Sequence, residues 1–254
     1  MKVLACLISV SLMTLGVAWG VWDVQADLPD AALLEAFDRA RFLEAQTASI
    51  TVKVTATTPD ATKEAVVRLS FKTIAGGNYS RIEFQSPAEL AGQVYLSTPE
   101  ATYFWQPELA AAIKVSGRQA LFGDSAVAQT SGIRFVEDYT VAAREAIALP
   151  DGAAGLQVRL KSVNSSVAFP TVVVTADAAT FRPVSFVLYA LSGVPLYEVA
   201  ILEYATAGSD AYAKIQLVTN RLAEGNKTRT EIEAIEEGDL PDRLFDPAGL
   251  GNPS

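Results

Sequence analysis

Residues 49–72 read SITVKVTATTPDATKEAVVRLSFK, and this stretch decides the fold class. Apolar side chains at 50, 52 and 54 alternate with polar side chains at 51, 53 and 55, and the pattern returns over residues 67–72. Thr58-Pro59-Asp60 lies between the two runs and is typical of a turn. A period of two on both sides of a turn predicts paired antiparallel strands with one dry face and one wet face.

The same alternation recurs outward from this stretch, at residues 81–84, 156–161 and 214–217. Turn signals such as Gly76-Gly77-Asn78 and Asp151-Gly152 separate the runs. Counting runs and turns, we predict a mainly β protein of about ten or eleven antiparallel strands with a few helices. No long hydrophilic linker interrupts residues 27–254, so we expect one domain there.

Two segments depart from the strand pattern. Leu28 to Ala45 places Leu33, Phe37 and Ala40 at helical spacing, with Asp30 as the expected N-cap, and predicts an N-terminal helix. Residues 116–132 (SGRQALFGDSAVAQTSG) have small side chains and no clean alternation. We interpret this second segment as a loop or short helix that lies over the sheet as a lid.

The first 26 residues have the features of a signal peptide. Lys2 supplies a positive start, Val3 to Val21 form the apolar segment, and Val24-Gln25-Ala26 predicts cleavage after Ala26. We therefore expect a periplasmic or otherwise extracytoplasmic protein. The alternative is an uncleaved N-terminal anchor, because the apolar segment approaches the ~20 residues that span a bilayer.

Composition excludes several functions. The formal net charge of −9 argues against nucleic acid as a partner, since phosphates are bound by Lys and Arg. The chain has no histidine, and its one cysteine, Cys6, lies in the expected leader. Gly123-Asp124-Ser125 resembles a serine nucleophile segment but has no histidine to take the proton. We expect no enzyme activity, no metal site and no cofactor.

A large sheet that is wet on one face must cover its other face with a second sheet, with helices or with a ligand. The predicted helices are too few to cover about ten strands densely. Two possibilities stay open at this point. The sheet folds over itself around an ordinary core, or it curves around an apolar cavity.

A series of motifs adds to this argument: Tyr79 to Phe84, Ser86-Pro87, Gly92 to Leu96 and Tyr103 to Pro107. The series continues through Lys114 to Arg118, Phe122 to Ser125, Glu137 to Tyr139, Ser192 to Leu196 and Leu240 to Phe245. In this order and spacing the motifs resemble the bacterial outer-membrane lipoprotein-sorting family, called LolA-like. Ala126 to Gln129 stand where that family usually has an aromatic-rich stretch, which is a departure within the lid.

The resemblance implies an unclosed antiparallel half-barrel, with helices plugging its concave apolar face. It implies a periplasmic carrier that shields the acyl chains of lipids or lipoproteins, with a membrane-bound donor or acceptor protein as a further partner. We expect a monomer. The lid residues would be Leu121 and Phe122. The expected groove lining is Val52, Val54, Val67, Leu69, Phe71, Ile82, Phe84, Val94, Leu96, Phe104, Val115, Val158, Leu160, Phe186 and Leu188, with ordinary core packing as the alternative for each.

Two other functions remain alternatives. Related half-barrels serve as envelope sensors that detect mislocalised lipoproteins and signal to a membrane partner, and an uncleaved anchor would favour that function. A structural envelope protein with a filled core would bind no ligand.

Overall fold

The computed structural model of the chain describes residues 28–42, 47–116, 120–122, 125–126, 133–165, 167–208 and 210–250. The expected signal peptide, residues 1–26, lies outside these residues, as does most of the expected lid at residues 116–132. The described part of the chain is mainly β, as the alternating pattern predicts.

Fifteen strands are present in the described residues, and thirteen of them form one antiparallel sheet. The other two, β7 and β8, form a separate two-stranded ribbon. The strands are β1 (Thr47–Thr57), β2 (Thr62–Ile74), β3 (Gly77–Ser86), β4 (Val94–Ser97), β5 (Thr102–Trp105), β6 (Ile113–Val115), β7 (Ala120–Phe122), β8 (Ser125–Ala126), β9 (Tyr139–Ala148), β10 (Ala154–Ser162), β11 (Thr171–Asp177), β12 (Pro183–Tyr189), β13 (Pro195–Ala207), β14 (Asp210–Asn220) and β15 (Lys227–Glu237).

The sheet is an open meander. Its order is β6-β5-β4-β3-β2-β1-β15-β14-β13-β12-β11-β10-β9, so that β1, the first of the described strands, pairs with β15, the last of them. The edge strands β6 and β9 are not neighbours, which confirms the unclosed antiparallel sheet. The strand order therefore divides the sheet into a half that runs from β6 to β1 and a half that runs from β15 to β9.

The expected number of ten or eleven strands is wrong, because the main sheet alone has thirteen. Strands β4, β5 and β6 are only three or four residues long, which is too short for several alternations. Strand β11, TVVVTAD, has three consecutive buried valines in place of an alternating pattern. Strands that are covered on both faces lose the period of two on which the count rests.

Helix α1 spans Asp30–Arg41 and packs on β14, β12 and β9. The predicted apolar stripe is confirmed at Leu33, Phe37 and Ala40, which are all buried. Asp30 is the first helical residue and Pro29 occupies the cap position, so the expected N-cap was one residue late. A carboxylate in the first turn still favours the helix, because it faces the positive end of the helix dipole. None of the described helices is long and apolar enough to cross a membrane.

Two further features complete the fold. A short helix α2 (Phe135–Asp138) contacts α1 and leads directly into β9. After β15, the turns Asp242–Phe245 and Pro247–Gly249 form 3₁₀ helices, and the first of them packs on β3.

Candidate functional site

One face of the thirteen-stranded sheet carries two large apolar clusters. The strand pairing places both on the same face, because a row of directly paired residues crosses from Phe186 through Val199, Val218 and Thr228 to Ala56. Directly paired residues point to the same side of a sheet, and so do residues two apart along a strand. Val54 and Val52, two and four residues before Ala56, therefore share their face with Phe186.

The first cluster lies under the helices and is densely packed. We call it the helix-packed cluster, and seventeen of its residues are buried against seven that are partly buried. Its buried members are Leu33, Leu34, Phe37, Ile133, Phe135, Tyr139, Leu156, Val158, Leu160, Phe169, Val172, Val174, Ala176, Phe186, Leu188, Val199 and Val218.

Aromatic rings fix the helices onto this half of the sheet. Phe135 of α2 meets Phe37, Tyr139 and Phe186 edge-on, with ring centroids 6.3, 6.1 and 5.7 Å apart. Edge-to-face contacts of this kind add about 0.5–1.5 kcal/mol each to the area that is buried. This half of the face is therefore a filled core.

A buried ion pair joins α1 to the segment that follows the expected lid. The Arg41 guanidinium donates to Asp38 Oδ1 at 3.1 Å and to the Ile133 carbonyl, and Asp38 Oδ2 accepts from the Val136 amide at 3.0 Å. The guanidinium carbon also lies 4.1 Å from the ring centroid of Phe135. Burial lowers the pKa of Arg41, and the neighbouring Asp38 carboxylate opposes that shift.

The second cluster is centred on β1–β5, with further members on β6, β7 and β13–β15, and it is covered much less completely. We call it the partly covered cluster: eight of its residues are buried and ten are only partly buried. The buried members are Ile50, Val52, Val54, Ala65, Val67, Ile82, Phe84 and Tyr95. The partly buried members are Leu69, Phe71, Leu90, Phe104, Val115, Phe122, Ala207, Tyr212, Ile232 and Ile235.

Two aromatic pairs stand out in the partly covered cluster. Tyr95 of β4 and Phe104 of β5 have ring centroids 4.8 Å apart. Phe122 of β7 reaches the cluster from outside the main sheet, and its ring centroid lies 6.3 Å from that of Phe84. The β7–β8 ribbon therefore places one aromatic side chain on this surface.

The cluster members are all apolar or aromatic, and nearby ion pairs lie on the opposite face of the sheet. Arg68 pairs with Glu236 at 2.9 Å, and Arg81 pairs with Glu83 at 2.8 Å. Arg68 is paired in register with Thr51 and Glu83, which are the sequence neighbours of the cluster residues Val52 and Phe84. Because neighbouring residues of a strand point to opposite faces, these charges lie on the face away from the cluster. The sheet thus has an apolar face and an ion-paired face in this half.

Most of the predicted lining residues lie together. Four of them, Val158, Leu160, Phe186 and Leu188, belong instead to the helix-packed cluster. The side chain of Leu121 lies outside the described part of the structure. The residues found in the partly covered cluster are Val52, Val54, Val67, Leu69, Phe71, Ile82, Phe84, Phe104, Val115 and Phe122.

Val94 and Leu96 lie on the wrong face for the predicted groove. Their pairing partners Glu83 and Arg81 point to the ion-paired face, whereas Tyr95 is paired with Ile82. Val94 and Leu96 pack with Phe245 and Leu250 in a third, outer cluster under the C-terminal 3₁₀ turns. Val94, Tyr95 and Leu96 are consecutive hydrophobic residues, and all three are buried. The sequence of β4 therefore has no alternation that would identify Tyr95 as the residue on the groove side.

Sequence reasoning also missed members of the partly covered cluster, notably Tyr95, Ile232 and Ile235. A register irregularity leaves Glu233 unpaired between β1 and β15. Because of it, Ile232 and Ile235 point to the same face of the sheet although they are three residues apart. Such a bulge breaks the period of two, and the alternation test therefore passes over β15.

Carboxylates gather where α2 meets β9. Burial raises the pKa of Asp138 to about 6, and the nearby carboxylates Glu137 and Asp38 add to the shift. Among the described residues, no group of three or more His, Cys, Asp or Glu side chains is arranged to hold a metal ion.

Known proteins share this architecture. The fold is similar to that of a LolA superfamily protein from Nitrosomonas europaea, with 22% identity, a TM-score of 0.76 and coverage of 86% of this chain and 98% of that chain. It is similar to a domain assigned to the outer membrane lipoprotein-sorting proteins from Vibrio parahaemolyticus, with 14% identity, a TM-score of 0.73 and coverage of 88% and 98%.

A DUF1329 family protein from Desulfovibrio piger is similar as well, with 13% identity, a TM-score of 0.75 and coverage of 87% and 97%. No curated protein matches the sequence. A family model described as "Uncharacterized protein" matches residues 76–252, which is well over half of the chain. The chain therefore belongs to the family that this model describes, and its fold is LolA-like.

Proposed function

We propose that the protein is an envelope carrier that binds acyl chains of lipids or lipoproteins on its partly covered cluster. The observation that carries this proposal is the contrast between the two halves of one sheet face. Helices fill the helix-packed cluster, whereas ten apolar side chains of the partly covered cluster are only partly buried. A large apolar surface that is incompletely covered is typical of an interaction site.

The chemistry of the surface favours a hydrocarbon ligand. Its members are aliphatic and aromatic, and the ion pairs of this half belong to the other face. Each buried CH₂ group contributes about 0.8 kcal/mol, so one ~16-carbon chain gains on the order of 12 kcal/mol gross on leaving water. A chain of that kind crosses an aqueous compartment too slowly unless a protein covers it.

Phe122 acts as a displaceable cover in this proposal. It is the ribbon residue that packs on Phe84, and it is itself only partly buried. An entering acyl chain would take the place of the Phe122 ring and move the β7–β8 ribbon. A carrier needs such an element, because a ligand in a permanently closed core could be neither loaded nor released.

The location is part of the proposal. We propose that residues 1–26 are a signal peptide removed after Ala26 and that residues 27–254 act as a single domain in the periplasm or an equivalent envelope space. The similar structures from N. europaea and V. parahaemolyticus, described as a LolA superfamily protein and a lipoprotein-sorting domain, support an envelope role. A membrane-bound donor or acceptor would then complete the transfer.

A substitution pair tests the binding surface. Leu69→Asp places a charge among the partly buried residues of the cluster, and Leu217→Asp places the same charge on a partly buried leucine of the other sheet face. Both proteins are titrated with a fluorescent fatty acid, and co-purifying lipid is measured by mass spectrometry. Leu69→Asp should abolish uptake and Leu217→Asp should preserve it.

The result that would contradict the proposal is equal uptake by the two variants, or no uptake by the unmodified protein. Circular dichroism melting of both variants separates loss of binding from loss of fold. Leu69 is a better target than Phe84 for this purpose, because Phe84 is fully buried and a charge there would unfold the sheet.

A further inference from the structure

Three neighbouring turns project from one end of the sheet. They join β10 to β11, β12 to β13 and β14 to β15, and these six strands are consecutive and antiparallel. Alternate turns of such a meander lie about two strand spacings, or roughly 10 Å, apart. The amide of Arg221 in the last turn donates to the Leu196 carbonyl at 2.9 Å, which ties it to the hairpin beside it.

These turns hold four of the eight large apolar side chains that are exposed among the described residues. Leu191 is 89% exposed, Leu222 66%, Val163 50% and Val194 44%. Turns normally carry Gly, Asn, Asp, Ser and Pro at their tips, each for a conformational reason. Leu191 and Leu222 near two of the tips, with Val194 just before β13 and Val163 just after β10, have no such reason. Together they create an apolar patch, which we call the turn patch.

The turn patch is also poor in charge. Residues 163–176 and 183–197 contain no Asp, Glu, Lys or Arg, although the chain as a whole carries a net charge of −9. In the third turn, Arg221 is neutralised by Glu198, with nitrogen and oxygen 2.5 Å apart, and Glu224 is the one other charge. Asp60 in the β1–β2 turn and Glu137 in α2 bound the patch on its two sides.

We propose that the turn patch is a membrane-contact surface, whose leucine and valine tips enter the interfacial region of a lipid bilayer. An acidic protein is repelled by anionic lipids, so it approaches a bilayer best through an end that is poor in carboxylates. Apolar side chains on such an end add affinity in proportion to the area that they bury in the interface.

The composition of the patch favours lipid over a protein partner. Protein interfaces depend on Trp, Tyr and Arg anchors, and Leu and Val are under-represented among their strongest contacts. The exposed tips of the patch are aliphatic, and Arg221 is held by an internal ion pair. The turn patch is distinct from the partly covered cluster, and the proposed membrane contact does not depend on the proposed carrier function.

Site-specific fluorescence tests the proposal in the full 254-residue chain. With Cys6→Ser as background, Leu191→Cys, Leu222→Cys and Leu202→Cys are each labelled with a polarity-sensitive fluorophore. Leu202 is the matched control, because it is a leucine 56% exposed on β13, away from the turns. Vesicles of phosphatidylethanolamine and phosphatidylglycerol (3:1) are then added.

We expect a blue shift and quenching by lipid-borne quenchers at positions 191 and 222, and neither at 202. A double variant, Leu191→Ser with Leu222→Ser, should bind the same vesicles through the turn patch at least tenfold more weakly. Its uptake of a fluorescent fatty acid should be unchanged. No spectral change at 191 and 222, or an equal change at 202, would overturn the proposal. Because each probe reports its own position, an N-terminal anchor would not mask the result.

Discussion

Phe122 of β7 lies against Phe84 of β3, with ring centroids 6.3 Å apart and ring planes inclined by 56°. The contact joins the separate β7–β8 ribbon to the partly covered face of the main sheet. If the surface binds acyl chains, this ring is the group that a ligand must displace.

Phe122→Ala should therefore tighten the binding of a fluorescent fatty acid. An aromatic pair contributes about 0.5–1.5 kcal/mol beyond its buried area, which corresponds to a gain of up to about tenfold in affinity. Titration of Phe122→Ala beside the unmodified protein measures this gain. Weaker binding by Phe122→Ala would mean that the ring is a wall of the site and not its cover.

Arg41→Met should destabilise the fold by removing the partner of a buried carboxylate. Asp38 would remain buried beside Val136 without its cation, and breaking a buried pair in this way costs about 3–5 kcal/mol. Urea unfolding measures the change. Adding Asp38→Asn, which removes the charge and keeps an acceptor for the Val136 amide, should recover most of the loss; no recovery would show that the ion pair is not the cause.

Asp138 should make the stability depend on pH between about 4 and 6. Its folded pKa, about 6, lies above the ordinary value of 3.8, so the folded state binds the proton more tightly. The stabilisation is complete below pH 3.8 and is lost as pH rises through 6. Asp138→Asn should therefore stabilise the protein at pH 7, by on the order of 1 kcal/mol after allowance for partial solvent screening.

Urea unfolding at pH 4.5 and pH 7 measures that difference. We expect the advantage of Asp138→Asn over the unmodified protein to be larger at pH 7. An advantage that is the same at both pH values would contradict a raised pKa.

Phe245→Ala should lower stability without changing acyl-chain binding. The side chain is buried against Val94 and Leu96 on the ion-paired face, and removing a buried phenylalanine costs about 3 kcal/mol or more. Thermal melting and fatty-acid titration of the same sample check both halves of the prediction. Lost binding with a retained fold would place the ligand on the outer cluster. Leu244→Ala, at a neighbouring partly buried residue, should cost less.

Much of the fold is predictable from local patterns. The apolar stripe of α1 and the alternation in β1, β3 and β10 are confirmed by burial. Those elements are long and have one solvated side, which is the condition under which periodicity reports the buried face. In β2 the alternation holds at Val67 but not beyond it, because Ser70 is buried and Leu69 and Phe71 are only partly buried.

The candidate site was harder to predict, for three physical reasons. Strand β4 is covered on both faces, so its burial does not reveal that Tyr95, and not Leu96, points to the partly covered cluster. A bulge in β15 hides Ile232 and Ile235 from an alternation test. Finally, Phe186 and Phe84 both occupy alternating apolar positions on the same face of the sheet. Only the position of α1 distinguishes the filled core around Phe186 from the partly covered surface around Phe84.

Photo-crosslinking with a fatty acid that carries a diazirine near the end of its chain tests the central claim most directly. After irradiation, mass spectrometry locates the labelled residues. We predict labels on the partly covered cluster, at positions such as Leu69, Phe71, Phe104 and Ile232. Labels confined to the outer cluster around Leu96 and Phe245, or no saturable labelling at all, would contradict the account.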